Sequence, residues 1–170
     1  MEPRYAAAAR LAPYRRDNTP AFSLRGSECW ARLVGAHDGD TVTVVLEAFP
    51  GRFQKANIRL RGIDTCEMTS TDPVLKGRAV AARDRVIELL TGGGVRLQAD
   101  VAYSRGQIDA ALAQQVYTVW VCCFEQDKYG RTLADVYPDC PVCRSANQVL
   151  LDEGLACPYD GGHKYLPQVA

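Results

Sequence analysis

Three short segments concentrate carboxylates and cations at turn-like positions. Asp38-Gly39-Asp40-Thr41 sets two carboxylates where a glycine lets the backbone turn tightly. Oxygen donors converging on one point suit hard cations such as Ca²⁺ and Mg²⁺, although Asp-Gly is first of all a hairpin signal. Arg59-Leu60-Arg61-Gly62-Ile63-Asp64-Thr65-Cys66-Glu67 reads as a strand that ends in a carboxylate, with a glutamate three residues on. In a flat strand Arg59 and Asp64 would face opposite ways about 16 Å apart. Gly62 is the residue that could bend the strand and bring them together. Read alone, Arg59 and Arg61 are equally well solvated strand charges. Asp127-Lys128-Tyr129-Gly130-Arg131 offers two cations, a phenol and a flexible glycine in a turn. Arginine suits bidentate contact with phosphate, lysine acts as a point charge, and tyrosine can hydrogen-bond or stack. An ordinary charged hairpin would read the same.

Taken together, the segments hold candidates for every role in phosphodiester hydrolysis. Metal and guanidinium charge would stabilise a five-coordinate phosphorus, and a carboxylate would orient or deprotonate water.

These segments must be positioned by a framework, and hydrophobic periodicity outlines one. Trp30 to Ala36 and Thr41 to Glu47 are β-rich runs flanking His37-Asp38-Gly39-Asp40, and a third strand spans Asn57 to Ile63. Lys76 to Leu90 changes period, with Ala79, Val80, Arg83, Val86, Ile87 and Leu90 on one stripe, so a helix is expected there, ended by Gly92-Gly93-Gly94. Val116 to Phe124 and Arg131 to Tyr137 read as two more strands, and Ala146 to Glu153 as a short helix that Gly154 terminates. For Ile108 to Gln115 a helical turn and part of a long hairpin remain open. This α+β order fits a five-stranded OB-type β-barrel with packed helices, because closure protects strand edges in a small domain. Residues 1–26, rich in arginine, alanine and proline, are expected to form an extended basic arm ahead of a domain at 27–170, with an insertion around 95–115.

The three segments, in this order, resemble the signature segments of the staphylococcal nuclease (thermonuclease) family, and Asn147 to Ala156 is similar to its following helix and glycine stop. The resemblance covers Trp30 to Gly162 in outline and implies a Ca²⁺-dependent nuclease, with Mg²⁺ or another divalent cation as an alternative. It makes Asp40 and Asp64 carboxylate ligands, lends the backbone carbonyl of Thr65, and places Asp38 beside them. Glu67 falls at the position of the base for the attacking water. Arg59 and Arg131 fall on the arginines that hold the scissile phosphate, while Lys128 and Tyr129 match contacts to the other phosphate. Tyr159 corresponds only loosely to the tyrosine that stacks on the nucleotide. Such nucleases cut both DNA and RNA, with the 5′ oxygen as leaving group. One departure stands out: Cys66 replaces the proline usual before the glutamate, which loosens the backbone there.

Bulk properties narrow the alternatives. Twenty basic and twenty acidic side chains cancel, so a nucleic-acid substrate needs a local basic patch rather than a cationic protein. No apolar run approaches the roughly 18 residues of a membrane span. Seven cysteines without a secretory leader suggest an intracellular setting. Cys140-Pro141-Val142-Cys143 has the spacing of half a Zn²⁺ site, but without a matching pair it reads as a turn with two free thiols or as a core cysteine pair. His37 and His163 are too few for a histidine cage, and Trp30 and Trp120 are expected in the core. Two other functional classes stay in view: an OB-fold nucleic-acid-binding module without turnover, and a zinc-stabilised interaction domain. Oligomeric state leaves no trace in the sequence.

Overall fold

Alternation of apolar and polar residues builds a closed β-barrel. A computed structural model of the protein describes residues 2–98 and 101–161, which leaves His163 outside the described residues. Five strands, β1 (Glu28–Asp38), β2 (Thr41–Phe49), β3 (Arg52–Leu60), β5 (Thr118–Gln126) and β6 (Thr132–Tyr137), close in the order β1-β2-β3-β6-β5. All neighbours are antiparallel except β3 and β6, whose parallel pairing of Ile58 with Thr132 and Leu60 with Ala134 closes the barrel. Leu33, Val42, Val44, Leu46, Ile58, Leu60, Val119, Val121 and Val136 are buried in its core. A two-residue ladder between β4 (Ile63–Asp64) and β7 (Cys157–Pro158) lies outside the barrel.

Helix α2 (Pro73–Leu90) begins three residues before Lys76, where periodicity placed its start. Asp72 caps it, accepting from Val74 N at 2.8 Å and Leu75 N at 3.2 Å, and Pro73 fits the first turn. Its buried face is Ala79, Ala82, Arg83, Val86, Ile87 and Leu90, with Ala82 in place of the half-buried Val80. The open stretch before β5 resolves as helix α3 (Arg105–Ala113), started by a capping box between Ser104 and Gln107 and anchored by Ile108 and Leu112. Ser145 caps α4 (Ala146–Asp152), and Gly154 follows with φ +69°.

Three expectations change. The amino-terminal arm is not wholly extended, since Arg4–Leu11 forms helix α1, which buries none of its residues. Past it, Leu24 joins the core and Phe22 packs on Phe49 with ring centroids 5.4 Å apart. Trp30 is not a core residue: it is 49% exposed and meets Trp120 edge to face across β1 and β5, on the outside of the barrel. Strand β3 starts five residues before Asn57, because the outer part of the β2–β3 hairpin is mostly exposed and carries no apolar alternation.

Candidate active site

Strand register brings the three polar segments together. Thr41 at the start of β2 pairs with Arg59 in β3, and Arg59 pairs on its other side with Leu133 in β6. Asp40, which precedes β2, and Arg131, which precedes β6, therefore arrive beside Arg59 from two directions. Leu60 N donates to Asp40 O at 2.7 Å and fixes this register.

The hairpin tip is shaped by close packing. A β-carbon on Gly39 would lie 2.5 Å from Ala82 Cβ and 2.9 Å from Thr65 Cγ2, so only glycine lets α2 approach this closely. Asp40 is buried. Its Oδ2 accepts from Thr65 N at 2.8 Å and Thr65 Oγ1 at 2.9 Å, while Oδ1 accepts from Thr41 Oγ1 at 3.0 Å and pairs with Arg59 Nη1.

Beyond Leu60 the chain turns at Gly62, φ +76°. Asp64 Oδ1 now receives Arg59 Nη2 at 2.6 Å, and Ile63 O accepts from the same nitrogen at 3.2 Å. The β4–β7 ladder and Tyr159 N donating to Gly62 O at 2.9 Å hold the bend from outside.

Arg131 is fixed by its own turn. Asp127 Oδ1 accepts from the backbone N of Tyr129 and of Arg131, both at 2.9 Å, and Oδ2 accepts from Arg131 Nε at 2.7 Å. Burial pushes the Asp127 carboxyl up, but these donors outweigh it and hold it below the usual carboxylate range. Gly130 makes the turn at φ +79°, and Arg131 Nη1 donates to Thr41 Oγ1 at 3.3 Å. Tyr129, 73% exposed, stands at the lip with Arg131 and Lys128 near its ring face.

Burial raises the Asp38 carboxyl above its ordinary range, opposed by the charges of Arg59 and Arg131. Glu67 is exposed and follows the buried Cys66. An open cleft of about 1550 Å³ runs over the site, lined by Asp38, Asp40, Arg59, Asp64, Thr65, Glu67, Lys128, Tyr129, Arg131 and Tyr159. Every site residue named from the sequence thus faces one cleft. Sequence reading missed Arg105 and Asp109 of α3, which also line it, with Arg105 set against His37.

Such an arrangement juxtaposes a hard-oxygen cluster with guanidinium groups along an open cleft. Among the described residues no helix is long and apolar enough to cross a membrane. Comparison with curated proteins gave no match. A family model does match from Asn57 in β3 onward, taking in Arg59, Asp64, Glu67 and Arg131 and leaving Asp38 and Asp40 to be supplied by the pairing of β2 with β3. The match, to the model described as staphylococcal nuclease homologue, covers residues 57–168, more than half the chain, and the chain belongs to that family.

Proposed function

We propose that the protein is a metal-dependent nuclease that hydrolyses phosphodiester bonds of DNA or RNA in the cleft above Arg59. The observation that carries this reading is that one guanidinium, Arg59, already bridges the carboxylates of Asp40 and Asp64. Two carboxylate oxygens gathered around a single cationic group, in an all-oxygen donor set, fit a hard divalent cation. Asp40, Asp64 and the Thr65 carbonyl would hold Ca²⁺, or Mg²⁺ in its place, with Asp38 beside them. When bound, the cation would supply Lewis-acid polarisation of the phosphate and neutralise charge on it.

The chain's own residues do the rest. Arg59 and Arg131 bind phosphate oxygens and stabilise the charge that develops as phosphorus becomes five-coordinate. Asp127 and Thr41 hold Arg131 in place before substrate arrives, so little reorganisation is left to the reaction. Glu67 takes a proton from the attacking water, and the 5′ oxygen departs. Its exposure within the cleft suits a group that must meet both water and substrate. Lys128 and Tyr129 contact a neighbouring phosphate, and Tyr159 packs beside the nucleotide. An intracellular setting belongs to the same proposal, supported by seven cysteines that are all free thiols.

Purified protein incubated with single-stranded DNA, with Ca²⁺ or with EDTA, beside a Glu67→Gln variant, tests the reading. Cation-dependent cleavage well above the variant is expected. Binding of the DNA without cleavage above the variant would instead establish a barrel that binds nucleic acid and does not turn it over.

A further inference from the structure

A second cluster of metal-binding side chains lies outside the cleft. Between the end of β6 at Tyr137 and the start of α4 at Ala146 the chain makes a tight turn, with Cys143 N donating to Cys140 O at 3.0 Å. The turn sets the two sulfurs 3.2 Å apart. Asp139 brings a carboxylate oxygen into the same group, so that all three donor atoms lie within 4.8 Å of one another. Counting cysteines alone finds half a site here, and the carboxylate is the ligand that such a count leaves out. Arg144, the cation of the turn, pairs with Asp152 on α4. Val142 at the tip is 92% exposed, so solvent reaches the cluster.

We propose that Asp139, Cys140 and Cys143 form a Zn²⁺ site, with the fourth tetrahedral position left to water. Zinc–sulfur bonds of about 2.3 Å in tetrahedral geometry separate two sulfurs by about 3.8 Å. The thiols need open by only about 0.6 Å, within reach of side-chain rotation. Each thiol gives its proton to solvent on binding, and two thiolates with one carboxylate more than neutralise the ion. Sulfur donors select zinc over the hard cations that the oxygen cluster at Asp40 and Asp64 suits, so the two sites sort metals by chemistry. Bound zinc closes the turn leading into α4. The site stands independently of the proposed nuclease activity, because none of its residues lines the cleft.

Full-length protein, kept reduced with a phosphine, is titrated with Zn²⁺ alone against a chromophoric chelator, and with Co²⁺ as a spectroscopic probe. The wild type should take up one equivalent that excess Ca²⁺ does not displace, and its cobalt form should show thiolate charge-transfer absorption. Cys143→Ser should lower zinc affinity at least as much as loss of a supporting residue does elsewhere, about 10- to 100-fold. Asp139→Asn should weaken it while keeping the thiolate band. The Cys140→Ser/Cys143→Ser variant retains five cysteines and the whole oxygen cluster. Equal zinc affinity and stoichiometry in that variant would overturn the site, as would a cobalt spectrum without thiolate bands. Circular dichroism confirms folding, and Asp139→Asn provides a readout that leaves both thiols in place.

Discussion

Arg59 Nη2 lies 2.6 Å from Asp64 Oδ1, although the two residues are separated by a length of chain that, extended, would hold them about 16 Å apart. The left-handed conformation of Gly62 turns the chain back, and the long Arg59 side chain covers the rest. An added β-carbon there meets nothing within 4 Å, so Gly62→Ala is strained only through its backbone, at about 1–2 kcal/mol. If the bend positions the site, the cleavage rate should fall further than the modest stability loss explains, and Gly62→Asn should recover part of both. Denaturation and cleavage assays on the same samples decide it. Wild-type rates in Gly62→Ala would show that the bend is not what aligns these groups.

Gly39 presents the opposite case, a glycine required by contact. Gly39→Ala drives a methyl group into Ala82 and Thr65, and overpacking of this kind costs about 1–3 kcal/mol. Pairing it with Ala82→Gly removes the nearest obstacle. The double variant should be more stable than the sum of the single losses, by a margin that urea denaturation resolves. Strict additivity would mean that the clash is relieved by movement elsewhere.

Arg59 neutralises two carboxylates that have little access to water. Arg59→Gln should therefore destabilise the protein by about 3–5 kcal/mol in EDTA, as loss of one partner in a buried ion pair does. Ca²⁺ should restore much of that stability by standing between Asp40 and Asp64, while cleavage remains down by about 10²-fold for want of a charge stabiliser. The same loss with and without Ca²⁺, read by thermal melting, would argue against a cation shared by these two carboxylates.

Stability should fall in acid partly through Asp127. Its native pKa is depressed, so the stability it contributes is fully present above the ordinary aspartate value of about 3.9 and is lost as pH drops through the lowered native value. Hydrogen bonds to a charged group are worth about 1.5–3 kcal/mol, which sets the expected deficit of Asp127→Asn at pH 7. The gap between wild type and variant should narrow below about pH 4. A gap that stays constant down to pH 2 would rule out the linkage.

How legible this protein was in its sequence depended on which physical signal each part carries. The barrel strands were readable because their inner residues alternate with outer ones, and α2 because Ala79, Arg83, Val86, Ile87 and Leu90 recur on one face. Helix α3 was not decided, since Ile108 and Leu112 are its only buried anchors, although Ser104 and Gln107 form the capping box that could have marked its start. Helix α1 buries none of its residues, so no core-facing stripe marks it. Trp30 misled because a large aromatic reads as core, whereas on a closed barrel alternate residues must point outward and Trp30 finds its apolar partner there in Trp120. At the candidate site, local motifs picked out residues that the fold gathers along one cleft, and Gly62 foretold the bend. The β4–β7 ladder that braces the bend involves only two residues on each side, too few for any periodicity.

Asn147 ties these parts into one unit. From α4 its amide donates to Arg61 O at 3.0 Å and Ala134 O at 3.1 Å, and its carbonyl accepts from Val136 N at 3.1 Å. The end of β3, the middle of β6 and the last helix therefore share a single buried side chain. Opening of the first turn of α4 would release the backbone at Arg61, just past β3, from which the Gly62 bend departs. Amide exchange at Val136, whose N–H Asn147 accepts, should then report the opening of that first helical turn.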